Sequence, residues 1–306
     1  MNLRTWGMLL PAICICIAGC GLTGSSSDRV IYANYDDADG FCAQIKDAFA
    51  NKAKADGIQV EFLDAKGDGN MQIDQLNEAI SRGAGAIILL AADGSSIVKT
   101  IEKANDAGIP VITVNRSVAG GRVLRSYSDD KEAGRMQGEY MAAHLPPNAK
   151  IVYLQGDGTQ SSAVGRWEGF KEACLDKRSD IQLLSFVDAG WSKAEALKTM
   201  SLWMSMFPEI NGVVAGNDEM ALGAVAALKG ANRLEGCLVT GVDATPSGLA
   251  AVAAGEMVQT IKQDAKGQGE GALALAEGFL KGAPPSGDMA VPFTSITRDN
   301  AAQAAN

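Results

Sequence analysis

From position 29 onward the chain alternates short, β-rich apolar runs with amphipathic stretches of helical length. Apolar residues that recur every three to four positions mark helices, and short unbroken apolar runs mark buried strands. The strand candidates are 30–34, 59–63, 86–90, 110–114, 150–154, 182–187, 212–215 and 238–242. Runs such as Ala86-Ile87-Ile88-Leu89-Leu90 are continuously apolar, so both of their faces are expected to be covered, as in parallel sheets. The spacing predicts helices at roughly 41–56, 71–82, 95–107, 131–144, 163–175, 193–207, 219–229, 246–254 and 267–280. Gly57, Gly83, Gly108 and Gly230 stand where four of these end, the usual helix stop. Eight such βα units could close into one barrel or divide into two open sheets. Two sheets are favoured by the stretch 118–130, which has no helix of its own, turns to Gly120-Gly121, Ser126 and Ser128, and falls between two comparable blocks as a crossover would.

The chain has 306 residues, 47% of them hydrophobic, enough for one large or two medium domains. Its 27 basic and 36 acidic side chains leave a net charge of −9 with no basic cluster, which argues against nucleic acid as a partner. The N-terminus has Arg4, an apolar stretch over 6–18, and then Ile17-Ala18-Gly19-Cys20 ahead of a polar spacer over 21–28. The apolar stretch is shorter than the ~20 residues of a membrane span, so residues 1–19 are expected to be an export signal. Small residues ahead of a cysteine resemble a bacterial lipobox, which implies lipid on Cys20 and a flexible tether over 20–28; an ordinary signal peptide cut nearby is the alternative. Of six cysteines, Cys14 and Cys16 leave with the signal, and Cys42, Cys174 and Cys237 remain besides Cys20. An exported chain meets an oxidising compartment, so one disulfide with one leftover thiol is the simplest arithmetic, with Cys174 and Cys237 as the candidate pair. Buried free thiols are the alternative.

Catalytic patterns are missing. There is no Gly-x-Ser-x-Gly elbow, no phosphate-binding P-loop, no His-Glu-x-x-His, and no Gly-x-Gly-x-x-Gly after the first strand. The single histidine, His144, sits at an expected helix end, where it suits the helix dipole better than it suits a base. Metal ligation finds no support in the scattered cysteines, and Asp68-Gly69-Asn70 reads as a turn, not a calcium loop. No enzyme activity, metal or cofactor is therefore expected.

What the strand ends offer is hydrogen-bonding side chains and aromatic plates. The first strand runs into Asp39-Gly40-Phe41, the fourth into Asn115-Arg116, the seventh into Asn217 and the eighth into Asp243. Arg166 follows the fifth at short range, Trp191 the sixth, and Gln263 the apolar run 257–261. Ligands of open parallel sheets bind beyond the carboxyl ends of the strands. Each residue alone reads equally as a helix cap or turn former, as Asn217 does ahead of Asp218 and Glu219. Together they describe a polar cleft with aromatic walls, the mixture that suits sugars: carboxylates, amides and guanidinium forks for hydroxyls, rings for C–H faces.

The order of these motifs resembles periplasmic sugar-binding proteins of the ribose/galactose type, the substrate-capturing subunits of ABC transporters. The resemblance runs from Arg29 to about Thr297. It rests on Ile109-Pro110-Val111-Ile112-Thr113 before Asn115-Arg116, Ser128-Asp129-Asp130 with Gly134 and Gly138, and Leu154-Gln155-Gly156 with Arg166 and Glu168-Gly169-Phe170. Asn217-Asp218-Glu219-Met220-Ala221-Leu222-Gly223 and Gly241-Val242-Asp243-Ala244-Thr245-Pro246 complete it. It implies two doubly wound α/β domains of the type I periplasmic binding fold joined by a three-strand hinge. The first would hold 29–129 and 264–290, the second 130–263 and 291–306, with crossings near 126–130, 263–264 and 287–292. Carried over by position, the ligand-binding residues fall on Asp39, Phe41, Asn115, Arg116, Arg166, Trp191, Asn217, Asp243 and Gln263.

Three positions depart from the ribose-binding pattern. Asp39 stands where Asn is usual, Cys42 where a second stacking aromatic is usual, and Asn115 where the Asp of an Asp-Arg pair is usual. Moving a carboxylate changes which hydroxyl it can accept from, which argues against ribose itself. The expected function is capture of a small carbohydrate, whether pentose, hexose or polyol, by a monomer that is held on the outer face of a membrane by lipid only. Its partners would be an ABC permease and ATPase, or a chemoreceptor or sensor kinase if the protein is a sensor. A transcription repressor sharing the fold is disfavoured by the lack of an N-terminal helix-turn-helix. Cys20→Ser should release the protein from the membrane fraction; a mutant that survives a carbonate wash on the membrane contradicts the lipid anchor.

Overall fold

The computed structural model describes residues 29–304; the expected export signal over 1–19, Cys20 and the expected tether over 20–28 lie outside the described residues. The first half runs β1 (Val30–Asn34), α1 (Gly40–Ala55), β2 (Val60–Asp64), α2 (Gly69–Ser81), β3 (Ala86–Leu89), α3 (Val98–Asp106), β4 (Val111–Val114) and β5 (Val123–Tyr127). The second runs α4 (Asp130–His144), β6 (Lys150–Gln155), α5 (Ser161–Phe170), β7 (Gln182–Asp188), α6 (Lys193–Met206), β8 (Gly212–Ala215), α7 (Asp218–Gly230), β9 (Leu238–Asp243), α8 (Pro246–Ala254) and β10 (Gln259–Lys262). The chain then returns as α9 (Ala265–Leu280) and β11 (Met289–Ala290), and crosses once more into β12 (Thr294–Thr297) and α10 (Ala301–Ala304).

Two six-stranded sheets result, ordered β11-β5-β4-β3-β1-β2 and β12-β10-β9-β8-β6-β7. All pairings are parallel except β10 with β12. Both sheets are covered on two faces. Val30 and Tyr32 enter one core cluster with Phe49 of α1 and Leu273 of α9, while Ile31 and Ala33 enter another with Leu76 of α2 and Ile101 of α3. In the second sheet Val152 and Leu154 face Met200 and Leu228, and Ile151 and Tyr153 face Phe170 and Met141. This two-sided burial is why the strands read as unbroken apolar runs. The architecture is the expected pair of doubly wound α/β domains, and three crossings join the sheets: β5 to α4, β10 to α9, and β11 to β12.

Four strands were not foreseen. The stretch 118–130, expected to be a bare crossover, holds β5, whose Arg125 and Ser126 dilute the apolar signal near the sheet edge. β10 and β12 carry no unbroken apolar run, since Gln259, Thr260 and Lys262 in the one and Thr294, Ser295 and Thr297 in the other are polar, and β11 has only two residues. The helix expected over 163–175 ends as a π-helical turn, Lys171–Leu175.

The candidate disulfide is also corrected. Cys42, Cys174 and Cys237 are all buried free thiols. Cys174 packs with Tyr153 and Val214, whereas Cys237 packs with Val213 and Val239, so the second sheet stands between them. Neighbouring strand residues point to opposite faces, and a bridge needs Cβ atoms within ~4.5 Å.

The crossing of α4 and α5 fixes the position of Arg166, which α5 carries. A Cβ on Gly134 would lie 1.9 Å from the Arg166 carbonyl oxygen, and one on Gly169 would lie 1.9 Å from that of Lys131. Only glycine permits this backbone approach. Gly169→Val should therefore destabilise the protein by at least the ~1–3 kcal/mol typical of overpacking, measured by urea unfolding; an unchanged midpoint contradicts the close crossing.

Candidate functional site

The carboxyl ends of both sheets open into one cavity of about 510 Å³. All nine side chains singled out from the sequence line it: Asp39, Phe41, Asn115 and Arg116 from the first domain, Arg166, Trp191, Asn217 and Asp243 from the second, and Gln263 at a crossing. Thr245, Pro246 and Ser247, which the sequence reading left out, line it as well. The domains touch beside it, where the Ser117 amide donates to Ser161 Oγ at 3.0 Å.

On the first wall, Asp39 caps α1: one carboxylate oxygen accepts from the amides of Phe41 (2.9 Å) and Cys42 (2.8 Å). Asn115 sits at φ +67°, a left-handed conformation that Asn tolerates better than most residues, and its Nδ2 donates to Gln268 Oε1 at 3.2 Å. Arg116 lays its guanidinium 4.1 Å from the Tyr35 ring centroid and donates through Nη1 to the Ala91 carbonyl at 3.2 Å. Its buried Nε has no protein partner. Cys42 on the same wall carries a thiol whose pKa burial pushes well up.

The second wall is organised by Arg166, which is only 3% exposed. Its Nε donates to Asp130 Oδ1 (3.0 Å), Nη1 to the Gly216 carbonyl (2.6 Å) and Nη2 to Gln263 Oε1 (3.0 Å), and Nη1 stands 4.0 Å from Asp243 Oδ1. Gln263 Nε2 is buried without a protein partner. Trp191 is half-buried at φ +62°, with Nε1 donating to Gln160 Oε1 at 2.8 Å. Its ring lies on the backbone at Gly156, where a Cβ would come within 2.2 Å. The residue thus belongs both to the cavity wall and to the margin of the core. Asn217 likewise does two things: Oδ1 caps α7 by accepting from the Met220 amide at 2.9 Å, and the residue lines the cavity.

Supporting residues were less visible in sequence. Asp130, which in sequence stood out only within the Ser128-Asp129-Asp130 motif, is the ionic partner of Arg166. Asp218, in sequence only the residue after the Asn217 cap, is fully buried and accepts from Thr260 Oγ1 (2.7 Å), the Thr245 amide (2.8 Å) and Thr245 Oγ1 (3.1 Å). Burial pushes its carboxyl up to about 7, against the pull of these donors. Burial also raises Asp243 well above the usual carboxylate range, opposed by Arg166 and reinforced by Asp218, Asp39 and Asp130. Among the described residues, no group of three or more His, Cys, Asp or Glu could hold a metal, and no helix is long and apolar enough to cross a membrane.

The model of the periplasmic binding protein domain matches residues 30–284. The chain belongs to this periplasmic binding protein family. It is 33% identical to a xylitol-binding protein of Mycolicibacterium smegmatis over 92% of this chain and 81% of that one. It is 31% identical to a ribose import binding protein of Haemophilus influenzae, over 85% of this chain and 88% of the relative. The crystal structure of an ABC transporter solute-binding protein from Bacillus halodurans with bound myo-inositol superposes with a TM-score of 0.84 at 32% identity, covering 92% of this chain and 99% of that one. Like these relatives, this periplasmic binding protein is a binder and not an enzyme.

The raised carboxyls make stability depend on pH. An acid whose folded pKa exceeds its unfolded value, ~3.9 for Asp, stabilises the fold below that value and loses this contribution as pH rises through the folded pKa. Asp243→Asn should therefore raise the melting temperature of the ligand-free protein at pH 7.5, and the gain should shrink as pH falls toward 4. A melting difference that does not vary with pH contradicts the burial of an ionisable Asp243.

Proposed function

We propose that this protein captures a small polyhydroxylated solute, a pentose, hexose or polyol, in the cleft and delivers it to an ABC permease from the outer face of a membrane, tethered through Cys20. The observation that carries this reading is the convergence, from both domains, of charged forks, amides and an aromatic ring on one cavity of about 510 Å³, a volume that suits a single sugar ring. Arg166, Asp243, Asp39 and Arg116 would exchange charge-assisted hydrogen bonds with hydroxyls, worth ~1.5–3 kcal/mol each before the costs of binding. Trp191 would cover a C–H face, and Asn115, Asn217 and Gln263 would supply amide groups. Phe41 would close the first wall beside Cys42. Relatives named for xylitol and ribose, and a similar solute-binding protein with bound myo-inositol, lend support to this class of solute. Closure about a hinge on ligand is the known behaviour of periplasmic binding proteins, and the three crossings between the sheets are where such a hinge would bend. The protein would act as a monomer with an affinity of micromolar or better, about −8 kcal/mol.

A thermal-shift screen against pentoses, hexoses, polyols and furanosides tests the reading, because a solute at 100 times its Kd adds ~2.7 kcal/mol of stability. At least one is expected to raise the melting temperature and alter intrinsic fluorescence; no response across the panel would reject carbohydrate capture. Arg166→Ala should weaken the best solute at least tenfold, or ~1.4 kcal/mol, in a folded protein. Trp191→Ala should weaken binding and lower apo stability by less than the ~3–5 kcal/mol of a fully buried aromatic.

A further inference from the structure

Asp243 reaches the cavity from a backbone that resists its own conformation. It lies at φ +116° and Ala244 at φ +54°, both in the region that favours glycine, although neither residue is one. Such strain persists only where the surroundings impose it. Here the restraint is a small buried network. The Ala244 amide donates to Thr260 Oγ1 at 3.1 Å, and that hydroxyl donates in turn to Asp218 Oδ1 at 2.7 Å. The Thr245 amide and hydroxyl both donate to Asp218 Oδ2, while Thr245 Oγ1 accepts from the Gly248 amide and so caps α8. Two glycines make room for the carboxylate: a Cβ on Gly248 would lie 2.0 Å from Oδ2 and one on Gly241 would lie 2.4 Å from Oδ1. Asp218 itself does not line the cavity, yet it follows Asn217, which does.

We infer that Asp218 is a positioning residue for solute recognition: its buried carboxylate clamps the strained turn at 243–245 and thereby aims Asp243 into the cleft. The inference rests on the proposed capture of a polyhydroxylated solute. A carboxylate is needed because every group aimed at it is a donor, and an amide in its place would turn one N–H₂ toward donors.

The test uses Asp218→Asn and, as a second variant that keeps side-chain shape, Thr260→Val. Each is titrated with xylitol, ribose and myo-inositol, in the parent and in an Asp243→Asn background, and amide hydrogen exchange is followed in parallel. Asp218→Asn should weaken the best of the three solutes at least tenfold in the parent but less than twofold once Asp243 is Asn, whereas its full effect should persist beside Asn115→Ala on the opposite wall. Protection at the Ala244 and Thr245 amides should fall at least tenfold in both variants while β6 and β8 keep theirs. Unchanged affinity, or an equal loss with and without Asp243, would overturn the positioning role and leave Asp218 as part of the core only. Unchanged exchange at Ala244 and Thr245 in either folded variant would overturn the clamp. If the parent binds none of the three solutes, the carbohydrate reading fails for them on its own, and the exchange experiment still decides whether Asp218 holds the turn.

Discussion

The structure turns on one buried guanidinium. Arg166 joins α5 to the first turn of α4 through Asp130, to the end of β8 through the Gly216 carbonyl, and to the crossing after β10 through Gln263. A charge placed this deep is tolerated only when its donors are met, and removing one partner of such a pair typically costs ~3–5 kcal/mol. The glycines at the α4–α5 crossing follow from this demand, since they bring the two helix backbones close enough for Asp130 to reach it. Because Gln263 sits where the chain passes between the domains, the same guanidinium links the second wall of the cleft to the region that would flex on closure.

Around this anchor the cleft is built from strained backbone. Four of the seven non-glycine residues with positive φ among the described residues, Asn115, Trp191, Asp243 and Ala244, lie at or beside the cavity. Each such conformation costs ~1–3 kcal/mol, and each is held by a specific contact: Gln268 on Asn115, Gln160 on the Trp191 ring, and the Asp218–Thr260 network on the Asp243 turn. Rigid elements thus fix side chains at angles that an unstrained turn would not give. Preorganisation of this kind lowers the ordering cost of binding.

The two domains repeat one strand order, in which the winding starts at β1 or β6, next to the edge strand, and adds neighbours on both sides; they differ in the last strand, parallel for β11 and antiparallel for β12. In such sheets the crevice beyond the carboxyl ends of the strands is the place for a ligand. Facing two of these crevices toward each other yields a cavity with walls from both domains. The walls are electrostatically linked, since the Asp39 carboxylate on the first adds to the rise in the Asp243 pKa on the second.

Much of this was legible in the sequence, because strand burial, helix length and capping are governed by near neighbours. The apolar runs at 86–90 and 212–215, the glycine stops, and the polar residues that end the strands all express local chemistry, and the nine side chains read from those ends reach one cavity. Tertiary structure alone decided what depends on residues far apart in the chain. Cys174 and Cys237 read as a plausible pair but were set on opposite faces of the second sheet by the winding of β6, β8 and β9. The short strands β5, β10, β11 and β12 exist because a neighbouring strand pairs with them, not because their own sequences have a period. Asp218 has the local signature of a solvent-facing first-turn acid; only the arrival of the α8 turn and β10, 27 and 42 residues on, buries it beneath the cleft. Local patterning determines which elements form and what their ends carry, whereas burial and partnership are settled by packing between segments that the sequence order keeps apart.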